Sequence, residues 1–438
     1  MTRKPMRGQT LAALALIGVT LAAAGGRMAF GGEPLPPLPA QVPEEMADHG
    51  LRTADIALFE RRAAEDPFGA GDRARLAYLY LQRARETGDF EDFRRAEAQA
   101  RASLARRERN NGSARLGLAS SLLAQHRFAE ARVAAQALVD EEPDKPSYRA
   151  LLAEIEMELG DYPAAAASFG RLGGHGDNLA VAPRLARWEE MQGMAVEARN
   201  RLYAARDQAA GRGDLPREQV SWFHLRVGDY ELRAGRLRHA ERAFREGLAV
   251  EPGDHRMYAG LARVEAARGE WRRVLELGGR AGERADLATV ALMGDAHAAL
   301  GDSAAAERMY AAVEAGYAGN PEPFARQWTQ FRLDHRRALP QTLALLREEA
   351  RLRPDVLGQD MLGWALYLSG DPAAARAASA RALRLGTADA SFHYHAGMIE
   401  RALGNRDGAR THLRRALDIN PRFHPAGADS ARAALRAL

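Results

Sequence analysis

The densest group of side chains able to do chemistry lies near the carboxyl end, where His393, Tyr394 and His395 stand together and His412 and His424 follow. Imidazoles can hold a metal or move a proton, so their spacing decides what they can do. Two ligands on one helix must sit a turn apart, at i and i+4. His393 and His395 are only two apart and point to different sides, while His412 and His424 belong to separate segments. The chain has no cysteine, which excludes disulfides, thiolate metal sites, thiol nucleophiles and an acylated-cysteine anchor. There is no Gly-x-Ser-x-Gly turn and no glycine-rich phosphate loop, and the glutamates alternate with arginines rather than pairing with one another. Trp188, Trp271 and Trp328 fall at helical spacing and read as core. These residues point away from an enzyme, a cofactor or a metal and toward a binding surface.

The elements that position them are helical. From Ala390 to Leu403 and from Arg406 to Ile419, apolar residues recur every three or four positions, with Gly404-Asn405 as the turn between and Pro421 as the stop. Small residues (Ala396, Gly397, Ala409) fall where the two helices must approach. The segment 34 residues earlier repeats this pattern with Gly363, Gly370-Asp371, Ala375 and Ala382-Leu383, and segments starting at Ser221 and His255 repeat it again. Weaker copies are centred on Gly160-Asp161, Gly193 and Gly301-Asp302, and others end at Pro143 and Pro354. About ten such units span residues 73–421. One hairpin cannot bury its own apolar face, so the units must stack.

The period and its small residues identify the chain as resembling the tetratricopeptide repeat (TPR) family, and more loosely the TPR proteins that bacteria export. The resemblance implies an all-α fold, a right-handed α-solenoid of stacked helical hairpins, and a non-enzymatic scaffold that binds a protein or peptide in its concave groove. In the family, the second, fifth, ninth, twelfth and thirteenth places of each first helix line that groove. Carried onto this chain, the implied groove residues are Arg187, Trp222, Asp229, Arg263, Asp295, Phe331, Trp364, Tyr367 and Tyr394. The aromatic ones cluster from Phe331 to Tyr394 and place the partner's apolar anchor toward the carboxyl end. TPR domains that clamp the terminal carboxylates of heat-shock chaperones carry lysine at the fifth place. Here the fifth places include Leu116, Leu225, Ala259 and Tyr394, none of them basic, so that activity is not implied.

The rest of the chain frames the solenoid. The formal net charge of +4 is matched by Arg3, Lys4, Arg7 and Arg27, in a stretch without acids, and the remaining charges alternate in sign as on an ion-paired helical surface. No nucleic-acid partner is expected. Residues 1–26 join a basic start to an apolar run, Leu11 to Ala24, and read as a signal peptide, or as a signal anchor that keeps the chain at the cytoplasmic membrane. Either places the repeats outside the cytoplasm, in the periplasm or beyond. Residues 27–43 are a linker rich in glycine and proline. Residues 44–72 hold a capping helix that Thr53 or Asp55 would start, and residues 422–438 hold another. Loops are expected at 211–219 and 314–324. The competing reading is a structural subunit, self-associating through the solenoid or anchored in the membrane.

Overall fold

A computed structural model of the protein describes residues 34–39, 48–319 and 325–438, apart from the Glu283 side chain. The apolar run 11–24 and most of the proline-rich linker lie outside the described residues. Residues 34–39 carry no regular secondary structure. Every regular element described is helical, and none of these helices is long and apolar enough to cross a membrane.

After a single helix, α1 (Asp48–Glu65), the chain forms successive antiparallel hairpins. They are α2 (Gly71–Thr87) with α3 (Phe90–Arg106), α4 (Gly112–Ala124) with α5 (Phe128–Glu141), α6 (Pro146–Glu158) with α7 (Tyr162–Gly170), and α8 (Ala182–Met191) with α9 (Ala195–Ala210). Next come α10 (Arg217–Arg233) with α11 (Leu237–Val250), α12 (His255–Arg268) with α13 (Trp271–Ala281), and α14 (Leu287–Ala299) with α15 (Ser303–Gly319). The last three are α16 (Ala325–Asp334) with α17 (Leu339–Leu352), α18 (Val356–Leu368) with α19 (Pro372–Ala382), and α20 (Ala390–Ala402) with α21 (Arg406–Ile419). A closing helix, α22 (Pro425–Arg436), covers the last hairpin. Each helix packs on the next, and first helices also touch the first helices of neighbouring hairpins, which makes an α-solenoid.

Local chemistry explains the boundaries. Asp254, Asp286, Asp355 and Asp389 each accept hydrogen bonds from backbone N–H groups in the first turn of the helix they precede. Proline occupies the first turn of α6, α18's partner α19 and α22, where its missing N–H costs nothing. Every hairpin turn holds a residue with positive φ. Glycine supplies it in eight of the ten, His126 and Arg336 in the other two. One loop and one cap expectation shift. Helix α15 continues through Gly316, whose Cα lies against Leu287, as far as Gly319. Thr53 is not a cap: α1 already runs from Asp48, and the Thr53 hydroxyl donates to the His49 carbonyl inside it.

The core is a chain of linked clusters. Phe244, fully buried, fills the space left by Gly228 and Gly260, where any Cβ would collide with its ring. The cluster built on Ala153, Phe169 and Trp188 also contains Val356, Ala382 and Phe392, residues from hairpins five or more units further along. The solenoid has therefore come round to touch itself.

That contact is a regular seam. The turn of the third hairpin, at Gly160, meets the backbone of Pro354 and Asp355; the turn of the fourth, at Gly193, meets the Gly386 carbonyl; the turn of the fifth, at Gly235, meets Asn420. Hydrogen bonds fix each place. The Val356 N–H donates to the Tyr162 hydroxyl at 2.8 Å, the Thr387 hydroxyl to the Met191 carbonyl at 2.6 Å, and the Asn420 amide to the Leu232 and Arg233 carbonyls at 3.1 Å. Arg353 reaches back across the seam to Glu158 at 2.7 Å and lies over the Phe128 ring. At the other end, Arg217 pairs with Asp48 at 2.8 Å and Gln82 donates to Glu218 at 3.2 Å.

Candidate partner-binding cavity

Closing the solenoid creates an inner space whose walls come from both turns. Around its smaller part, helices α8, α10 and α12 face the start of α20 and the segment between α21 and α22; its larger part is walled by α16, α18, α20 and the start of α22. Two adjoining chambers occupy it, about 290 Å³ and about 380 Å³ in volume, and both are bordered by Asp389, Ser391 and Phe423.

The smaller chamber is rich in charge. Arg187, Glu190, Arg233, Arg263 and Arg422 line it. Glu190 bridges Arg187 at 3.2 Å and Arg233 at 2.8 Å, and Arg263 pairs with Asp229 at 2.7 Å. Burial opposes ionisation of Glu190, but Arg233 and Arg187 outweigh it and hold the carboxyl below the usual carboxylate range. Asp389 behaves oppositely: burial, and then Asp360, raise its pKa even though it accepts the Ser391 and Phe392 N–H groups.

The larger chamber is aromatic. Trp364 stacks on His395 with centroids 4.2 Å apart and on Tyr367 at 4.9 Å, and Tyr394 lies between Trp364 and Phe423. His395 Nδ1 is 2.9 Å from Asp360, a carboxylate only 4% exposed, so the ring is held by one nitrogen. His424 accepts the Gly427 N–H through Nδ1 and caps α22. The chamber offers a ligand aromatic faces, two oriented imidazoles and the carboxylate of Asp334. Away from it, His393 and His412, on α20 and α21, meet at 3.0 Å through their Nδ1 atoms. Among the described residues no three His, Cys, Asp or Glu side chains converge as metal ligands.

Of the residues that the family pattern implied, Arg187, Arg263, Trp364 and Tyr394 border these chambers, and Asp229 stands behind Arg263. The others are placed differently. Phe331 is 5% exposed and packed between Tyr310 and His335, because the eighth hairpin folds this face onto α15. Asp295 is occupied by the Tyr310 hydroxyl at 2.7 Å and His335 Nε2 at 2.8 Å. Trp222 packs edge-on against Phe223 beside Leu179 and Leu215, and Tyr367 sits behind Trp364. Tyr394 itself is only 8% exposed, so it contributes an edge of the wall rather than a free anchor. The pattern missed Glu190, Arg233, Asp389, Arg422, Phe423 and His424, which lie at helix ends and between elements. One signal was available: Arg422, Phe423 and His424 follow one another directly after the last hairpin.

Comparison with known proteins supports the repeat. A tetratricopeptide repeat family model matches residues 116–172, 225–273 and 361–422. No curated protein sequence matches the chain. Among solved structures, the chain is similar to a tetratricopeptide repeat protein from Parabacteroides merdae, at 14% identity over 55% of this chain and 93% of that one, with a TM-score of 0.38. It is also similar to PilW, described as a widely conserved type IV pilus biogenesis factor, at 18% identity over 49% of this chain and 98% of that one, TM-score 0.39. Pseudomonas aeruginosa pilF is a third, at 16% identity over 49% and 96%, TM-score 0.37. The three matched segments fall on the second and third, fifth and sixth, and ninth and tenth of the stacked hairpins, and they mark tetratricopeptide repeats in those parts of the chain.

Proposed function

We propose that this protein is an exported, non-enzymatic scaffold that holds a segment of a partner protein in the inner cavity between the two turns of its solenoid. The observation that carries the reading is the pair of adjoining chambers, one charged and one aromatic, sharing a border at Asp389, Ser391 and Phe423. Aromatic side chains left partly exposed are frequent binding anchors, and Trp364 and Phe423, both half-buried, line the larger chamber. The export part rests on the basic start and apolar run of residues 1–26.

A displayed random-peptide library, selected against the protein and counter-selected against Ser391→Trp and Trp364→Ala, tests the cavity. Selected peptides should share an apolar residue and lose at least ten-fold in affinity to both variants, a change of about 1.4 kcal/mol or more. Peptides that bind all three proteins equally would refute the cavity as the site. Intact mass and cell fractionation of the native protein check export; recovery of the full-length chain in the cytosol would refute it.

A further inference from the structure

On the second and third hairpins, α5, α6 and α7 enclose a cleft of about 570 Å³ that shares no residue with either chamber. Val139, Leu152, Ala164 and Ala167 give it an apolar lining, and the two alanines keep α7 from filling it. In that lining lies Glu156, a carboxylate only 7% exposed. Ser168 is its hydrogen-bond partner among the described residues, and its second oxygen, Oε2, has none. Burial pushes its pKa up, and the cations that oppose this are engaged elsewhere: Arg132 pairs with Asp161 at 3.4 Å, and Arg149 donates to the Pro143 carbonyl at 3.0 Å. Arg149 precedes Glu156 on α6 by seven residues, about 10 Å along the axis. Because α7 runs back along α6, Arg171 lies at the same end as Arg149, and Asp140 there is bonded by Gln136 at 2.7 Å. The cleft is therefore anionic at Glu156 and mainly cationic at its other end.

We propose that this cleft is a second binding site, for a primary alkylamine whose ammonium group meets Glu156 Oε2 and whose carbon chain lies against Val139, Leu152 and the two alanines. A buried carboxylate oxygen without a partner is costly, and an ammonium group supplies both the donor and the opposite charge that it lacks. Arg149 and Arg171 repel a second positive charge at the far end, so a monoamine suits the cleft better than a diamine. A free amine and the lysine side chain of a partner protein present the same chemistry. The site is independent of the inner cavity and of what that cavity holds.

Isothermal titration calorimetry of the full chain with butylamine at neutral pH tests this. One butylamine should bind per chain, about ten-fold or more tightly than butanol, which has the shape without the charge, and more tightly than diaminobutane. Glu156→Gln keeps the volume and can still bond Ser168; it should weaken binding about ten-fold or more and leave the thermal midpoint unchanged or higher. Ala167→Met fills the cleft beside an intact Glu156 and should abolish binding. Trp364→Ala should leave it unchanged, which separates this site from the inner cavity. Lysine blocked at both its amino and carboxyl ends, competed against butylamine, distinguishes the sources: displacement assigns the cleft to a partner's lysine, and no displacement to a free amine. Butanol or diaminobutane binding as tightly as butylamine, or full affinity in Glu156→Gln or Ala167→Met, would overturn the proposal, as would the absence of a saturable heat.

Discussion

Replacing the turn glycine of the fourth hairpin by alanine should cost far more than the same change at the seventh. Both Gly193 and Gly301 have left-handed backbones, with φ of 75° and 88°, so any L residue pays a conformational cost of about 1 kcal/mol at either position. Their surroundings differ. A Cβ on Gly301 meets nothing within 4 Å, whereas one on Gly193 would lie 2.5 Å from the Gly386 carbonyl oxygen. To reach ordinary contact the two turns must move apart by nearly an ångström, and the buried hydrogen bond from Thr387 to the Met191 carbonyl, now 2.6 Å, stretches with them. Losing it and leaving its groups unsatisfied adds about 2 kcal/mol. Gly301→Ala should therefore destabilise by about 1 kcal/mol and Gly193→Ala by about 3. Urea unfolding followed by far-ultraviolet circular dichroism measures both. Solenoids with only neighbour contacts unfold as a nearly one-dimensional array, and contacts between turns add cooperativity. Gly193→Ala should therefore broaden the transition, which Gly301→Ala leaves sharp. Equal costs within about 0.5 kcal/mol, with equal transition widths, would mean that the turns do not press on one another and the seam does not exist in solution.

Other consequences follow from the same packing. Phe244→Ala empties the space between Gly228 and Gly260 and should cost about 3–5 kcal/mol by the same unfolding measurement. Arg326→Leu removes the nearer of two cations that Asp355 and Glu349 share, at 2.7 and 2.6 Å, leaving them only the longer contacts of Arg353 at 3.4 and 3.9 Å, and should cost about 2 kcal/mol. His393 is pushed down to about 4 by burial first and then by His412 and Arg415. The unfolded chain takes up this proton near the ordinary histidine value and the native protein only near 4, so between these limits the unfolded state binds more protons. The native structure should lose about 1–2 kcal/mol as pH falls through that window, a figure reduced for the ring's partial exposure. His393→Gln should flatten that dependence, read as the urea midpoint at neutral and mildly acid pH.

The hairpins were legible because each is encoded inside its own repeat. Gly397 sits against Leu413, and a Cβ there would come within 2.7 Å of that side chain; Ala375 and Ala409 are wholly buried where the second helices cross the first. Such contacts span a dozen residues and recur with the period, so composition at fixed spacing is enough to reveal them. The turns at His126 and Arg336 gave no such signal, since neither residue marks a positive φ in sequence. The extension of α15 to Gly319 was hidden for a related reason: its glycines read as a break, but the one at Gly316 makes room for Leu287.

The cavity was legible only in part, and the boundary falls where locality ends. Family positions on the first helices named Arg187, Arg263 and Trp364, because a helix face pointing inward does so whatever the remainder of the superhelix is doing. They could not name Phe423, Arg422 or Asn420, whose roles depend on where the chain arrives five hairpins after Gly235. That arrival is the sum of small rotations between successive units, and no single residue carries it. The same dependence ties function to stability. A segment touching both walls binds the closed solenoid better than an opened one, and by linkage it must stabilise the seam by that difference. Residues far from the cavity, such as Gly160 against Asp355 or Arg353 against Glu158, therefore bear on affinity without touching the ligand.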